Sequence, residues 1–239
     1  MLAAAAFALA AATSTVATSR GDQALRIYAP SAKDGETAAR PLVLVLSGEG
    51  GWRAFDHQLA TWLSGAGYWV GGIDCLRYFW KPQDDRAALS ADVALFASAL
   101  TQAAGARADA RVVLAGFSFG ADLAPWIAGA KVRSQRIAAL IMIGPDPRGS
   151  LEVRVTEILG FAPKGHTFDT ASALADARAI PVLFVHGGKD DDSAAPALAV
   201  GFTGPKTLKV VPGATHHFAG HEAELERAVI DGLRQLLAR

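Results

Sequence analysis

Gly116-Phe117-Ser118-Phe119-Gly120 directly follows the apolar run Arg111-Val112-Val113-Leu114-Ala115. A serine flanked two residues away on each side by glycine, at the end of a buried strand, marks a sharp strand-to-helix turn. Such a turn lifts the hydroxyl above a sheet where a base can reach it, and leaves no room for side chains at the flanking positions. The chemistry it permits is nucleophilic attack by Ser118 Oγ. The pentapeptide recurs by chance in unrelated chains, so its weight depends on the loops farther along the chain.

A serine nucleophile needs a base, and the base an orienting acid. His186-Gly187-Gly188-Lys189-Asp190-Asp191-Asp192-Ser193-Ala194-Ala195-Pro196 comes at the end of an apolar run, and Pro212-Gly213-Ala214-Thr215-His216-His217-Phe218 comes after a second. The chain order serine, acid, histidine is that of α/β-hydrolases. His216, two residues before an apolar anchor, is the expected base. His217 is expected to pack or bond within its loop, and His186 to be structural. Two counts compete for the acid. Gly-x-x-Asp from Gly187 selects Asp190, whereas Asp-x-x-x-Pro to Pro196 selects Asp192. The second is preferred because it ties the acid to the residue closing its loop. The three carboxylates are consecutive, without the spacing or sharp-turn glycine of a calcium loop, so no metal is expected. Acyl transfer by these residues calls for no cofactor.

Gly48-Glu49-Gly50-Gly51 lacks the Gly-Lys-Ser/Thr ending of a phosphate-binding loop. After the first interior strand of a hydrolase, such a loop supplies one oxyanion donor and the residue following the nucleophile supplies the other. The backbone N–H groups of Glu49 and Phe119 are the candidates. Acidic residues near strand ends, Asp74, Asp122 and Asp146, are candidates to receive a substrate cation. Asp122, one helical turn beyond Ser118, ranks first. Trp52, Tyr78, Phe79 and Trp80 are candidates to cover apolar substrate.

These residues need a scaffold. Leu25–Tyr28, Pro41–Leu46, Tyr68–Ile73, Val112–Ala115, Ala138–Ile143, Ile180–Val185 and Leu208–Val211 read as strands, most of them continuously apolar as in interior parallel strands. Between them, helices are expected over about 54–66, 89–104, 119–130 and 222–237. The second of these helices carries Val93, Phe96, Ala97 and Leu100 at helical spacing. Leu151–Thr156 alternates as an edge or inserted strand would, and 160–178 reads as a loop or lid. The expected fold is α/β, an α/β-hydrolase with a mostly parallel sheet covered by helices on both faces, its ligands beyond the C-terminal strand ends.

The 239 residues suit one domain, and 51% apolar content supports a doubly covered sheet. Twenty-three basic residues cancel 23 acidic ones, and no basic stripe interleaved with aromatics invites nucleic acid. The lone Cys75 provides no intrachain disulfide and reads as a buried small residue. Residues 1–20 open with an alanine-rich apolar run, then polar residues and a plausible cleavage point near Val16–Ser19. They read as a signal peptide or its remnant, leaving 21–239 as the single domain.

Six segments, LSGEGGW (46–52), DCLRYFW (74–80), GFSFGAD (116–122), GPD (144–146), DDS (191–193) and GATHHF (213–218), closely resemble the VirJ/AcvB family of bacterial virulence proteins. The likeness runs from residue 42 to 218. The family usually has aspartate at the position of Glu49. The resemblance implies a periplasmic serine hydrolase with the triad Ser118, Asp192 and His216, acting on the ester of lysyl-phosphatidylglycerol or a related aminoacyl phospholipid. Peripheral membrane contact and a secretion-system partner are further implications. The competing expectations are a general carboxylesterase or peptidase with the same triad, and a non-catalytic envelope or secretion-associated binding protein.

Overall fold

A computed structural model describes residues 12–31, 40–130, 136–153 and 165–238. The central sheet contains β1 (Ala12–Thr18), β2 (Gly21–Tyr28), β3 (Leu42–Leu46), β4 (Val70–Ile73), β5 (Val112–Phe117), β6 (Ile137–Ile143), β9 (Val182–Gly187) and β10 (Lys206–Val211), in the order β1-β2-β4-β3-β5-β6-β9-β10. β1 pairs antiparallel with β2, and β2 antiparallel with β4; the neighbours from β4 to β10 are parallel. A small antiparallel pair, β7 (Arg148–Ser150) and β8 (Thr167–Asp169), stands apart from it.

Every residue of β3 and β5 is buried, as their unbroken apolar runs require when helices cover both faces. The two faces separate cleanly. Leu42, Leu44 and Leu46 of β3 belong to the core on the face covered by α3 (Arg86–Ala104), α4 (Phe119–Ala128), α5 (Thr170–Asp176) and α6 (Ala195–Gly201). Val43 and Val45 pack on the opposite face with α1 (Ala54–Gly65) and α7 (Glu222–Leu237). A one-turn helix, α2 (Cys75–Tyr78), completes the set, with Cys75 fully buried. α3 is long and apolar enough to cross a membrane by length and composition, but its Leu89, Val93, Phe96 and Leu100 stripe is packed in the core. It starts at Arg86, earlier than the apolar stripe indicates, because the Asp85 side chain caps the Ala87 and Ala88 N–H groups.

Residues 12–20, the end of the segment read from the sequence as a signal peptide, lie in the edge hairpin of this structure, with Ala12 opposite Ile27 and Thr18 opposite Gly21. Val16 is buried, and Ser19 donates through N and Oγ to the two carboxylate oxygens of Asp92, at 2.8 and 2.5 Å. The apolar run over 1–11 lies outside the described residues. A correction falls between 148 and 178. The short strand there is Arg148–Ser150, one step before the alternating run, while 165–178 holds β8 and α5 rather than loop. Three- and seven-residue elements are too short to display a period. Residues 154–164, which include the end of the alternating run and the start of the expected lid, lie outside the described residues.

Candidate active site

The turn after β5 has the geometry its glycines suggest. Ser118 adopts φ 51° and ψ −120°, a left-handed conformation rare outside glycine. A Cβ on Gly116 would overlap the Gly120 backbone, and a Cβ on Gly120 would overlap the carbonyl of Leu46 at the end of β3. Both glycines therefore answer to close backbone approach. The strained turn is held by Ser118 N–H donating to Ile143 O (2.9 Å) and Ala121 N–H donating to Ser118 O (2.8 Å). Phe119 begins α4, so its N–H has no carbonyl within the helix to meet.

His216 and Asp190 face each other, Nδ1 to Oδ2, at 2.9 Å. Asp190 is buried, and the His216 side chain is 28% exposed. The pair forms at the ends of adjacent parallel strands because the two loops are stitched together. Asp190 N–H donates to Gly187 O, closing a tight turn, and Lys189 N–H donates to Ala214 O, both at 2.8 Å. A Cβ on Gly187 would come within 2.7 Å of the Ala214 and Thr215 carbonyls, so glycine there admits the histidine loop.

The preference for Asp192 is corrected on this geometry. Asp192 is exposed and Asp190 is the carboxylate at the imidazole. Pro196 serves a different purpose, lying in the first turn of α6, where a missing N–H costs nothing. His216 also lies against the Phe117 ring, centroids 5.1 Å apart, and Phe117 packs on Phe55 at 4.2 Å. This aromatic shelf under the histidine was not singled out from the sequence, since Phe117 reads simply as the last strand residue. His217 is exposed beside it, 6.1 Å from the same ring.

Glu49 brings its side chain to Ser118. Ser118 Oγ donates to Glu49 Oε2 at 3.4 Å, a long contact. Among the described residues there is no hydrogen bond between Ser118 and His216. The sequence reading concerned the Glu49 backbone alone and missed this carboxylate. The Glu49 loop is anchored by Asp56 of α1, which accepts from Arg53 N–H at 2.8 Å. Burial raises Asp56 from 3.8 to about 6, against the pull of that same N–H.

The remaining candidates divide. Asp122 is buried and accepts from the Asp146 N–H at 2.9 Å, so it fixes the loop after β6 and does not face a ligand. Burial, then the Asp146 charge, pushes its carboxyl well above the usual range. Asp146 is partly exposed and lies within electrostatic reach of His216 and Glu49. Burial raises it to about 6; His216 opposes the shift, and Glu49 and Asp190 add to it. Asp74 caps α2 through Arg77 N–H and sits 3.7 Å from Arg26, which commits it locally. Tyr78 and Phe79 are core residues, which corrects their assignment to substrate. Tyr78 donates to Asp92 at 2.6 Å, and Phe79 packs edge-on against Phe119. Trp52 lies over Gly72, with Arg26 above its ring at 5.4 Å, and so helps close the sheet. Trp80 is 58% exposed. Among the described residues no group of three or more His, Cys, Asp or Glu side chains is arranged to hold a metal ion.

A family model described as bacterial virulence protein (VirJ) matches residues 41–237. No curated protein matches the chain. Est1E from Butyrivibrio proteoclasticus superposes with a TM-score of 0.69 at 16% identity, over 95% of this chain and 99% of that one. A dienelactone hydrolase from Anabaena variabilis gives 0.66 at 18% identity, covering 94% and 97%. An alpha-beta serine hydrolase homologue from Coxiella burnetii gives 0.64 at 18%, covering 95% and 100%. At these identities the likeness is one of fold, that of the α/β-hydrolases.

Proposed function

Since the chain belongs to the VirJ family of bacterial virulence proteins and has the α/β-hydrolase fold, we propose that it is a serine hydrolase whose Ser118, His216 and Asp190 transfer an acyl group to water. The observation that carries this reading is the buried Asp190 oriented on His216, at strand ends adjoining the strained Ser118 turn. Asp190 holds the His216 Nδ1 proton and leaves Nε2 free to act as base. The Ser118 hydroxyl turns from Glu49 toward His216, which takes its proton as Oγ bonds to the ester carbonyl carbon. The Glu49 and Phe119 N–H groups receive the developing oxyanion. Collapse breaks the bond to the leaving alcohol, which takes the proton from His216. Water, deprotonated by the same imidazole, then releases the acid and restores Ser118.

The substrate of this reading is the aminoacyl ester of lysyl-phosphatidylglycerol or a related aminoacyl phospholipid. Cleavage frees the amino acid and leaves phosphatidylglycerol intact. Glu49 beside Ser118, with Asp146 in electrostatic reach of Glu49, suits a cationic acyl group, and exposed Trp80 suits contact with a lipid surface. The family resemblance supports a periplasmic location and leaves room for a secretion-system partner. A general carboxylesterase or peptidase would use the same three residues.

Product analysis on aminoacyl-phosphatidylglycerols and simple esters, with Ser118→Ala alongside, tests the proposal. Wild type is expected to release amino acid and to be labelled by a serine-reactive phosphonate. Ser118→Ala is expected to keep its fold and lose both. Unchanged turnover in Ser118→Ala sinks the mechanism, and cleavage of simple esters alone assigns the general esterase.

A further inference from the structure

The geometry points to the Glu49 carboxylate as the group that selects esters bearing a free α-ammonium, an inference that rests on the serine-hydrolase reading above. Glu49 Oε2 lies 3.4 Å from Ser118 Oγ, the atom that must touch the ester carbonyl carbon. The α-nitrogen of an aminoacyl ester is two bonds from that carbon. A carboxylate within hydrogen-bond reach of the attacking oxygen is therefore within reach of the α-ammonium as well. The ammonium at the far end of a lysyl side chain is several bonds more distant.

A carboxylate here is costly for any other acyl group. The oxyanion forms beside it, and two negative charges in a partly buried site repel. Among the described residues no cation pairs with Glu49, and Asp146 adds a second acidic group within electrostatic reach. A neutral acyl group leaves this repulsion standing, whereas an α-ammonium cancels it. Selection thus combines attraction for the right ester with a penalty against the wrong one. The same encounter has a second consequence. An ammonium competing for Oε2 releases the Ser118 hydroxyl, freeing it to donate to His216.

The test compares kcat/KM of the full chain on alanyl, lysyl, N-acetylalanyl and propionyl esters of glycerol. Wild type is expected to prefer both free-amine esters over the N-acetyl and propionyl esters. Glu49→Gln is expected to shrink the alanyl-to-N-acetylalanyl ratio by roughly 10- to 150-fold, the range of a hydrogen bond to a charged group. Glu49→Asp is expected to retain most of the ratio. Equal wild-type rates on alanyl and N-acetylalanyl esters overturn the inference whether or not the variants fold. So does a ratio that Glu49→Gln leaves unchanged. Phosphonate labelling of Ser118 separates the two levels. A labelled enzyme indifferent to the α-amine sinks this inference alone, while a chain that neither labels nor cleaves any of the esters sinks the parent reading.

Discussion

Gly144 stands directly against the His216 ring: a Cβ at this position would lie 3.1 Å from Cε1, 3.2 Å from Nδ1 and 3.6 Å from Asp190 Oδ2. Gly144 also has φ +58°, a backbone conformation that L side chains rarely adopt, and a methyl there would press on the imidazole by a few tenths of an ångström. The end of β6 thus forms one wall of the slot in which the imidazole meets its carboxylate. The Asp190 side chain is 3% exposed, whereas Asp192 points to solvent in the next turn.

Asp190→Asn is accordingly expected to lower kcat by several orders of magnitude. An amide donor facing Nδ1 favours the wrong tautomer, and the corresponding change in a serine protease costs about 10⁴-fold. Asp192→Asn should stay within a few-fold of wild type. Steady-state kinetics on both folded variants decide the matter, and the reverse ranking would return the acid to Asp192.

Gly120→Ala is expected to damage the nucleophile turn from outside the triad. The new methyl overlaps the Leu46 carbonyl and comes within 2.7 Å of Ser47 O, both backbone atoms that cannot swing aside. Overpacking of this kind costs about 1–3 kcal/mol and would displace Ser118. Gly65→Ala, where nothing lies within 4 Å of the added carbon, is the control. A Gly120→Ala protein with wild-type melting temperature and phosphonate labelling rate would refute the steric account.

Legibility in the sequence followed the physics of each feature. The Ser118 turn was readable because close backbone approach forces glycine at Gly116 and Gly120, and the His216 loop because the histidine stands two residues before Phe218, which is buried. The acid was half readable. The Gly187 count pointed to Asp190 for the steric reason the structure shows, but Pro196 gave a second signal that belongs to a helix start. Tyr78 and Phe79 look alike in sequence to Trp80, and only the packing beneath α3 and α4 separates two core rings from an exposed one. Glu49 was recognised by its loop, yet the direction of its side chain is a tertiary fact. Residues 12–18 resemble a signal's exit in composition because an edge strand of small and β-branched residues has the same composition.

That edge strand supports a prediction about the hairpin. Asp92 is buried and accepts from Ser19 N–H, Ser19 Oγ and Tyr78 Oη. A chain beginning at Gly21 loses two of these three donors and the β1 ladder. It should unfold at lower urea concentration, with a loss of at least about 3 kcal/mol. Ser19→Ala, which removes one donor, should cost less. Equal stability of the truncated and full chains would show that residues 12–20 contribute nothing to the domain.

The last prediction concerns pH and the anchor of the Glu49 loop. Asp56 is 3% exposed, its Oδ2 accepts from Arg53 N–H, and its Oδ1 is buried without a partner. Burial raises its pKa from 3.8 to about 6. A raised carboxyl pKa means that the fold favours the protonated form. The associated stability is fully present below pH 3.8 and is lost as pH rises through about 6. A shift of that size corresponds to up to about 3 kcal/mol. Asp56→Asn cannot titrate, yet its amide oxygen can still accept from Arg53 N–H. The difference in unfolding free energy between variant and wild type should therefore move in the variant's favour between about pH 4 and pH 7, by at most that amount. Asp146, raised over the same window, titrates in both proteins and cancels from the difference. Urea unfolding of the two proteins at several pH values across this window provides the measurement. A difference that stays constant with pH would mean that Asp56 is ionised in the folded protein throughout, and that its burial carries no penalty.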